Sequence, residues 1–168
     1  MISLSRLNDA SEEDFIAALG GIYEHSDWVP RGLVKQRPFP NTETLRIAMQ
    51  QCVESASEPE KLVLIRSHPD LAGKLAKAGK LTDESTREQA GLGLDRLQDE
   101  EYEQFQIYND RYRGKFGFPF IICARLTTKQ GILMAFKERF ENSQEAEIAE
   151  ALKQIHEIAR LRLEDLMG

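Results

Sequence analysis

The spacing of apolar residues along the chain predicts a protein built from helices. Between residues 41 and 53 the apolar side chains recur at the 3.6-residue period of an α-helix, which gives one face that can be buried. An aromatic stripe from Tyr102 to Phe116 has the same period and is followed by Gly117, a residue that commonly ends a helix. A third stripe runs from Ile148 to Leu166, on a helix that Ser143 should cap. We expect each stripe to face a hydrophobic core.

The residues between these stripes predict shorter helices and one loop. Ser11 followed by three acidic residues is typical of a helix start, and this short helix should stop at Gly20. Residues 30–40 contain so many helix breakers that we expect a loop. Residues 58–60, Glu-Pro-Glu, should end the helix that begins near residue 42, and a short helical run should follow over residues 61–66.

One apolar run lacks any helical period. Residues 118–124 read FPFIICA, and Pro119 disfavours helical geometry at Phe118. No second run is available to pair with it as a strand, so its backbone groups must bind helices, water or a ligand. The sequence therefore predicts an all-α fold, a single compact domain of about eight helices over residues 1–168. Because the helices are short and unequal, an irregular packing is favoured over a simple four-helix bundle.

Composition narrows the classes of partner. The chain has 168 residues and a net charge of -6, and its basic residues are dispersed, which argues against nucleic acid or an anionic membrane as a partner. The longest apolar run is too short to cross a bilayer, and the first residues do not resemble a secretory signal, so we expect a cytoplasmic protein. The spacing of Cys52 and Cys123 does not suggest a disulfide framework or a zinc site, and we interpret both as buried thiols.

His68 is the first candidate for chemistry. Pro69 excludes helical geometry at His68, so a helix should end there with the imidazole leaving at a fixed angle, and Asp70 is a candidate start for the next helix. An imidazole exchanges protons near neutral pH, which suits a general acid or base. Taken alone, however, a His-Pro pair favours a structural role, in which the histidine caps the preceding helix. The pattern of His25, His68 and His156 does not predict a metal site.

Glu88 and Arg162 are the other two candidates. Glu88 closes a Ser85-x-x-Glu88 capping-box pattern, a structural alternative to any chemical role. Gly91 and Gly93 nearby weaken a helix, which suggests close approach of another backbone or a ligand. Arg162 lies on the apolar stripe of the last helix, so it must bind an anion. This anion is either an acidic side chain in a buried ion pair or the carboxylate of a substrate.

Four blocks of sequence resemble the OHCU decarboxylases, which act on 2-oxo-4-hydroxy-4-carboxy-5-ureidoimidazoline in the breakdown of urate. The resemblance is strong over residues 60–166 and weak before them, and the spacing between the blocks also agrees. The blocks are HPDLAGK at 68–74, LTDESTREQAGLGLD at 81–95, YxxKFGFPFIICAR at 112–125 and IARLRLEDL at 158–166.

The resemblance implies a cofactor-free decarboxylase that yields (S)-allantoin, with an all-helical fold and a homodimeric assembly. By matching position, His68 would be the proton donor, Glu88 its acidic companion and Arg162 an anion-binding arginine. The substrate would be a small ureide. Its site would be lined by Pro69, Ser85, Thr86, Arg87, Glu88, Gln89, Phe120, Ile121, Ile122, Cys123 and Ala124.

Two other functional classes stay open at this point. In a helical interaction module, the three candidate residues would serve only as caps and ion pairs. A ureide hydrolase on the same scaffold would release ammonia or ring-opened products instead of CO2.

Overall fold

The computed structural model describes residues 1–73 and 78–168, and within these ranges every regular element is helical. This confirms the predicted all-α class. No helix in the same ranges has the length and apolarity needed to cross a membrane. The helices are α1 Leu4–Asp9, α2 Glu12–Leu19, α3 Trp28–Leu33, α4 Thr42–Glu54, α5 Glu58–Arg66, α6 Asp83–Gly91, α7 Asp99–Phe116, α8 Lys129–Phe140 and α9 Gln144–Met167, with short 3-10 turns at Val34–Gln36 and Ala124–Leu126.

The chain divides into two compact units. The first comprises residues 1–64 and 156–168, and the second comprises residues 65–155. Helix α9 therefore contributes its residues up to Ile155 to the second unit and the remainder to the first. Each unit has its own set of buried apolar side chains.

In the first unit, two helix starts follow the sequence signals. The Ser11 hydroxyl accepts a hydrogen bond from the Asp14 N–H at 3.1 Å, and the Asn41 side chain accepts one from the Thr44 N–H at 2.8 Å. Both contacts satisfy backbone donors that the first helical turn leaves without an intrahelical partner. Cys52 on α4 is a free thiol but is only half-buried, so the expectation of a buried thiol is wrong there and holds for Cys123.

The loop predicted over residues 30–40 is wrong in its first part. Helix α3 includes Pro30 as its third residue. Backbone N–H groups in the first turn of a helix have no acceptor within the helix, so the missing N–H of a proline there costs no hydrogen bond. Gly32 has a packing role, because a Cβ at this position would lie 3.1 Å from the Cys52 sulfur. These two residues therefore start and pack a helix instead of breaking one.

Pro59 has a similar role at the start of α5. Residues 58–60 begin this helix, whereas α4 already ends at Glu54, so the predicted boundary is wrong. The Ser57 N–H donates to the Glu60 carboxylate at 2.8 Å, and the Glu60 N–H contacts the Ser57 hydroxyl at 3.4 Å. This reciprocal capping box fixes the start of the helix one residue before Glu58.

In the second unit, the aromatic stripe of α7 forms core, as predicted. Phe105, Tyr112 and Phe116 are buried, and α7 packs against α8. Phe136 of α8 stacks on Phe120 with ring centroids 3.9 Å apart. Gly117 ends α7 in a left-handed conformation, with φ +76°, where a side chain would be unfavourable.

Candidate functional site

His68 lies in a turn that directly follows α5. The helix ends at Arg66, and the His68 N–H donates to the Ile65 carbonyl at 3.2 Å. Pro69 follows this turn and has no N–H with which to continue the helix. His68 is buried, with 6 % of its surface exposed. The expected helix start at Asp70 is wrong, because residues 71–72 form a turn in which Ala72 has φ +51°. Residues 74–77, the end of the HPDLAGK block, lie outside the described residues.

Gln89 of α6 binds the backbone of this turn from one side. Its side-chain oxygen accepts the Ala72 N–H at 2.9 Å, and its amide nitrogen donates to the Asp70 carbonyl at 3.3 Å. Gln89 is itself buried. The Asp70 side chain also forms an ion pair with Arg113 at 3.0 Å, but both side chains are partly exposed to solvent. Such an exposed pair typically contributes about 0–1 kcal/mol, so the buried amide is the more important contact.

Two amide side chains of α7 bind the same turn. Gln106 donates to the Ala72 carbonyl at 2.9 Å, and Asn109 donates to the Leu71 carbonyl at 2.8 Å. Asn109 is 2 % exposed, and its side-chain oxygen has no hydrogen-bond partner among the residues that the structure describes. A buried acceptor left without a partner costs on the order of 1–3 kcal/mol. The fold therefore tolerates a local cost at Asn109 while this residue holds the turn.

Helix α6 begins three residues earlier than its capping-box pattern predicted. Thr82 is the N-cap, and its hydroxyl accepts the Ser85 N–H at 3.3 Å. Since the amide of Ser85 is bound by Thr82 and Ser85 lies inside the helix, Glu88 does not close a capping box. The capping-box interpretation of Glu88 is therefore wrong.

The glycines after Glu88 lie at the end of the helix. The Gly93 N–H donates to the Ala90 carbonyl and the Leu94 N–H to the Gln89 carbonyl, the two bonds of a Schellman motif. Gly93 has φ +70°, and a Cβ at Gly91 or Gly93 would meet no atom within 4 Å. Among the described residues no other backbone approaches these glycines, so that part of the expectation is wrong, and left-handed geometry explains Gly93. The expected approach of a ligand stays a prediction.

The five predicted site residues of α6 divide between two faces. Ser85 lies three residues before Glu88 and four before Gln89, so the three share the face from which Gln89 binds the turn after His68. Ser85 and Gln89 are buried, and Glu88 is half-buried. Thr86 and Arg87 are exposed. Helix α6 also packs against the 3-10 turn Ala124–Leu126. Three blocks of the resemblance thus converge on α6: the turn after His68, the face of α6 itself, and the end of the 118–124 run.

The backbone of the 118–124 run is bound by side chains. Arg139 donates to the Ile121 carbonyl at 2.6 Å, and the Cys123 N–H donates to the Gln154 side chain at 2.9 Å. Phe120, Ile121, Cys123 and Ala124 are buried, whereas Ile122 is half-buried. The described residues contain no β-ladder for this run, in agreement with the sequence, and helical side chains supply the partners.

Arg139 belongs to a buried ion pair that sequence reasoning missed. Its guanidinium binds both carboxylate oxygens of Glu147 at 3.0–3.1 Å, and Glu147 also accepts the Tyr112 hydroxyl at 3.0 Å. Burial and the negative charge of Glu147 raise the pKa of Tyr112. The missed signal was the spacing of Arg139, three residues after Phe136 and seven after Ile132, on the buried face of α8.

Arg162 lies in the first unit and is buried, as its position on the apolar stripe predicts. Its guanidinium donates to the Glu24 carboxylate at 2.8 Å and to the Gly21 carbonyl at 3.1 Å. Glu24 is buried too, so the pair is a buried ion pair of the kind that the sequence left open. Arg160 instead forms ion pairs with Glu157 and Glu164 on the more exposed side of α9.

His156, also in the first unit, is engaged in a separate polar array. Its Nδ1 lies 2.9 Å from the Tyr23 hydroxyl and its Nε2 lies 2.8 Å from the Glu54 carboxylate. Burial lowers the pKa of His156, partly offset by Glu54. With Nε2 protonated, one neutral imidazole satisfies both contacts. His25 is exposed, and no group of His, Cys, Asp and Glu residues suited to a metal ion occurs in the ranges that the structure describes.

Comparison with known proteins gives consistent matches along the chain. The family model described as OHCU decarboxylase matches residues 8–164. The chain is 41% identical over 165 residues to the 2-oxo-4-hydroxy-4-carboxy-5-ureidoimidazoline decarboxylase of Halalkalicoccus jeotgali, covering 98% of this chain and 92% of that protein. It is 40% identical to the protein of the same name from Haloferax volcanii, covering 96% and 94%.

A solved structure agrees with these matches. The crystal structure of (S)-allantoin synthase aligns with a TM-score of 0.80 at 32% identity, covering 100% of this chain and 54% of that one.

Proposed function

The chain belongs to the OHCU decarboxylase family, and on that premise we propose that it decarboxylates 2-oxo-4-hydroxy-4-carboxy-5-ureidoimidazoline to (S)-allantoin in the degradation of uric acid. The observation that carries this proposal is the convergence on α6 of three sequence blocks that resemble the family. Gln89 binds the turn after His68, and the helix packs against Ala124–Leu126. Residues far apart in sequence thereby contribute to one region of the second unit.

The chemistry explains why the reaction needs no cofactor. When the carbon–carboxylate bond breaks, its electron pair remains on the ring carbon and is delocalised into the neighbouring carbonyl or imine of the substrate. CO2 leaves, the adjacent ring carbon that bears the ureido group accepts a proton, and the hydroxyl on the decarboxylated carbon loses its proton to become the carbonyl of allantoin. The protein must orient the carboxylate, stabilise the developing anion by hydrogen bonds, and deliver the proton to one face of the ring.

We assign the proton delivery to His68. An imidazole exchanges protons near neutral pH, and a positioned general acid contributes on the order of 10²–10⁴ in rate. His68 is buried, and Pro69 fixes the backbone immediately after it. A buried acid on a rigid backbone would present its proton from one direction, which is what a single enantiomer of the product requires.

Glu88 is the proposed acidic companion of His68, to hold the imidazole protonated or to bind N–H and O–H groups of the substrate. Two observations support this role: Glu88 is not part of a capping box, and it shares a helix face with Ser85 and Gln89. Ser85 and Gln89 are proposed to contribute to the substrate site with it. For the exposed Thr86 and Arg87, the proposal rests on the resemblance alone.

Arg162 is the proposed anion-binding arginine, on the basis of the matching IARLRLEDL block. Its buried partner Glu24 balances the charge of the guanidinium. This balance suits catalysis, because too tight a grip on the substrate carboxylate would stabilise the ground state more than the transition state.

For the 118–124 run, we propose that residues 120–124 bind the flat ureide ring, together with Pro69. The Ile121 carbonyl and the Cys123 N–H already have protein partners, so these two contacts would orient the run. Ile122 is half-buried, whereas the other four residues of this stretch are buried, so Ile122 offers more surface to a ligand than they do. The proposed role of the run is therefore a rigid wall with a limited exposed part.

We further propose that residues 1–168 act as one OHCU decarboxylase domain, supported by the family match over residues 8–164. A homodimeric assembly and a cytoplasmic location are proposed from the resemblance and from the composition of the chain.

The test is to generate the ureidoimidazoline in situ from urate and to follow optical activity, CO2 and ammonia together. The proposal predicts rapid formation of one enantiomer of allantoin, with one CO2 released for each substrate consumed and no ammonia. Ammonia or ring-opened products would instead favour a ureide hydrolase. A slow racemic product equal to the protein-free control would contradict catalysis and favour the interaction module.

A further inference from the structure

We propose that Asn109 and Gln106 of α7 are positioning residues for His68, acting through the turn at residues 70–72. This inference rests on the proposed function, because it needs His68 to be the proton donor. The two amides donate to the Leu71 and Ala72 carbonyls at 2.8 Å and 2.9 Å. They lie three residues apart, so one face of one helix holds the turn.

The turn needs such support because its own geometry is unfavourable. Ala72 has φ +51°, a left-handed conformation that residues with a side chain rarely adopt. Gly73 follows in a tight arrangement, since a Cβ there would lie 2.9 Å from the Asp70 Cβ. The N–H and the carbonyl of Ala72 are both bound by side-chain amides, from Gln89 and Gln106 respectively. Strained backbone of this kind persists where its surroundings hold it.

Pro69 is the link that carries this support to His68. Its ring fixes φ at one position between the held residues 70–72 and the imidazole-bearing residue. Few torsions therefore separate the amide contacts from His68, and a shift of the turn must move the histidine backbone. The partly exposed ion pair between Arg113 and Asp70 is a weak alternative anchor.

Asn109 carries a cost that a purely structural residue would avoid. Within the described ranges of the chain, its side-chain oxygen is buried without a hydrogen-bond partner, which is unfavourable. A leucine at this position would have nearly the same shape and would remove that unpartnered oxygen, but it would release the Leu71 carbonyl. Stability and positioning therefore respond differently to the same substitution, which makes the role testable.

The experiment compares wild type with Asn109→Leu and Gln106→Met, each of which removes the donor and approximately keeps the side-chain volume. Asn8→Leu is the matched control, because Asn8 also holds a distant loop by amide contacts, to the N–H and carbonyl of Phe39 at 2.9 Å. For each protein, kcat, KM, the enantiomeric excess of allantoin and the thermal midpoint are measured.

We expect kcat to fall at least tenfold in both α7 variants with KM changed less than threefold, because a small displacement of a catalytic group slows the chemical step. The enantiomeric excess should also fall, because water would protonate more of the intermediate, from either face, when His68 is misplaced. Asn8→Leu should keep the wild-type kcat and enantiomeric excess even where its thermal midpoint falls.

Wild-type kcat and enantiomeric excess in both α7 variants would overturn the positioning role while leaving the decarboxylase assignment intact. Absence of stereoselective turnover in the wild type would instead overturn the proposed function, and the positioning role with it. If Asn109→Leu fails to melt cooperatively, Gln106→Met decides alone, because Gln106 is only half-buried and its replacement disturbs less of the core.

Discussion

Two segments of the second unit lie outside its helices, and their backbones are held in different ways. The turn at residues 68–73 is bound mainly by neutral amides, from Gln89, Gln106 and Asn109. The run at residues 118–124 is bound by one neutral amide, from Gln154, and by Arg139, whose charge is matched by buried Glu147. Both segments contribute residues to the proposed site, so the difference concerns how each is supported.

The comparison separates geometry from stability. Removal of a neutral amide donor leaves one buried backbone carbonyl without that partner and typically costs about 1–3 kcal/mol. Removal of one member of a buried ion pair leaves an uncompensated charge and costs about 3–5 kcal/mol. We therefore expect changes around the turn to alter catalysis in a folded protein, and changes around the run to unfold the unit.

The largest expected effect is that of Glu147→Ala. This substitution strands the Arg139 guanidinium in the core and should lower the free energy of unfolding by about 3–5 kcal/mol, measured by urea denaturation. Glu101→Ala is the control, because its ion pair with Lys129 is exposed and should contribute about 1 kcal/mol or less. Equal effects of the two substitutions would contradict the large cost of leaving Arg139 without its partner, on which the comparison of the segments depends.

An intermediate effect is expected from Tyr112→Phe, and it should depend on pH. At pH 8 the loss of the hydroxyl bond to Glu147 should cost about 1.5–3 kcal/mol. Burial and Glu147 raise the pKa of Tyr112 in the folded state, whereas the unfolded state ionises near pH 10. The contribution of the hydroxyl is therefore complete below about pH 10 and is lost as the pH rises further.

Urea denaturation of wild type and Tyr112→Phe at pH 8 and at pH 10.5 measures this change directly. The stability difference between the two proteins should narrow by up to about 1.4 kcal/mol per pH unit above about pH 10. A difference that stays constant over this range would contradict burial of the tyrosine beside a charged Glu147.

The smallest expected effect concerns the turn itself. Ala72→Gly relieves a left-handed alanine and should raise the free energy of unfolding by about 0.5–1 kcal/mol. Because the contacts of residue 72 with Gln89 and Gln106 are made by its backbone, kcat should change less than twofold. Thermal denaturation and steady-state kinetics check both parts, and a loss of stability would show that φ at residue 72 is not strained.

Much of the helical framework could be predicted from sequence because its signals are local. Ser11 and Asn41 cap the helices that follow them, and the aromatic stripe before Gly117 faces the core. Prolines were the main source of error. Pro30 and Pro59 lie in first turns, where the missing N–H costs nothing, so a rule that treats proline as a breaker places the boundaries wrongly.

The contacts that hold the candidate site were beyond local signals. Asn109 and Gln106 were hidden within a stripe noted only for its aromatic residues, and their partners lie more than thirty residues earlier. Glu24, the partner of Arg162, lies in an irregular segment with no periodic pattern to reveal it. Arg139 was accessible to the same argument that singled out Arg162, since both arginines lie on an apolar helix face.

The most direct test of the account is the circular dichroism of allantoin formed from in situ ureidoimidazoline by wild type and by His68→Asn, each checked for cooperative thermal unfolding. Wild type should form one enantiomer rapidly. His68→Asn should fold with a similar thermal midpoint and yield only the slow racemic product of spontaneous decay. Rapid formation of a single enantiomer by folded His68→Asn would contradict the role of His68 as proton donor.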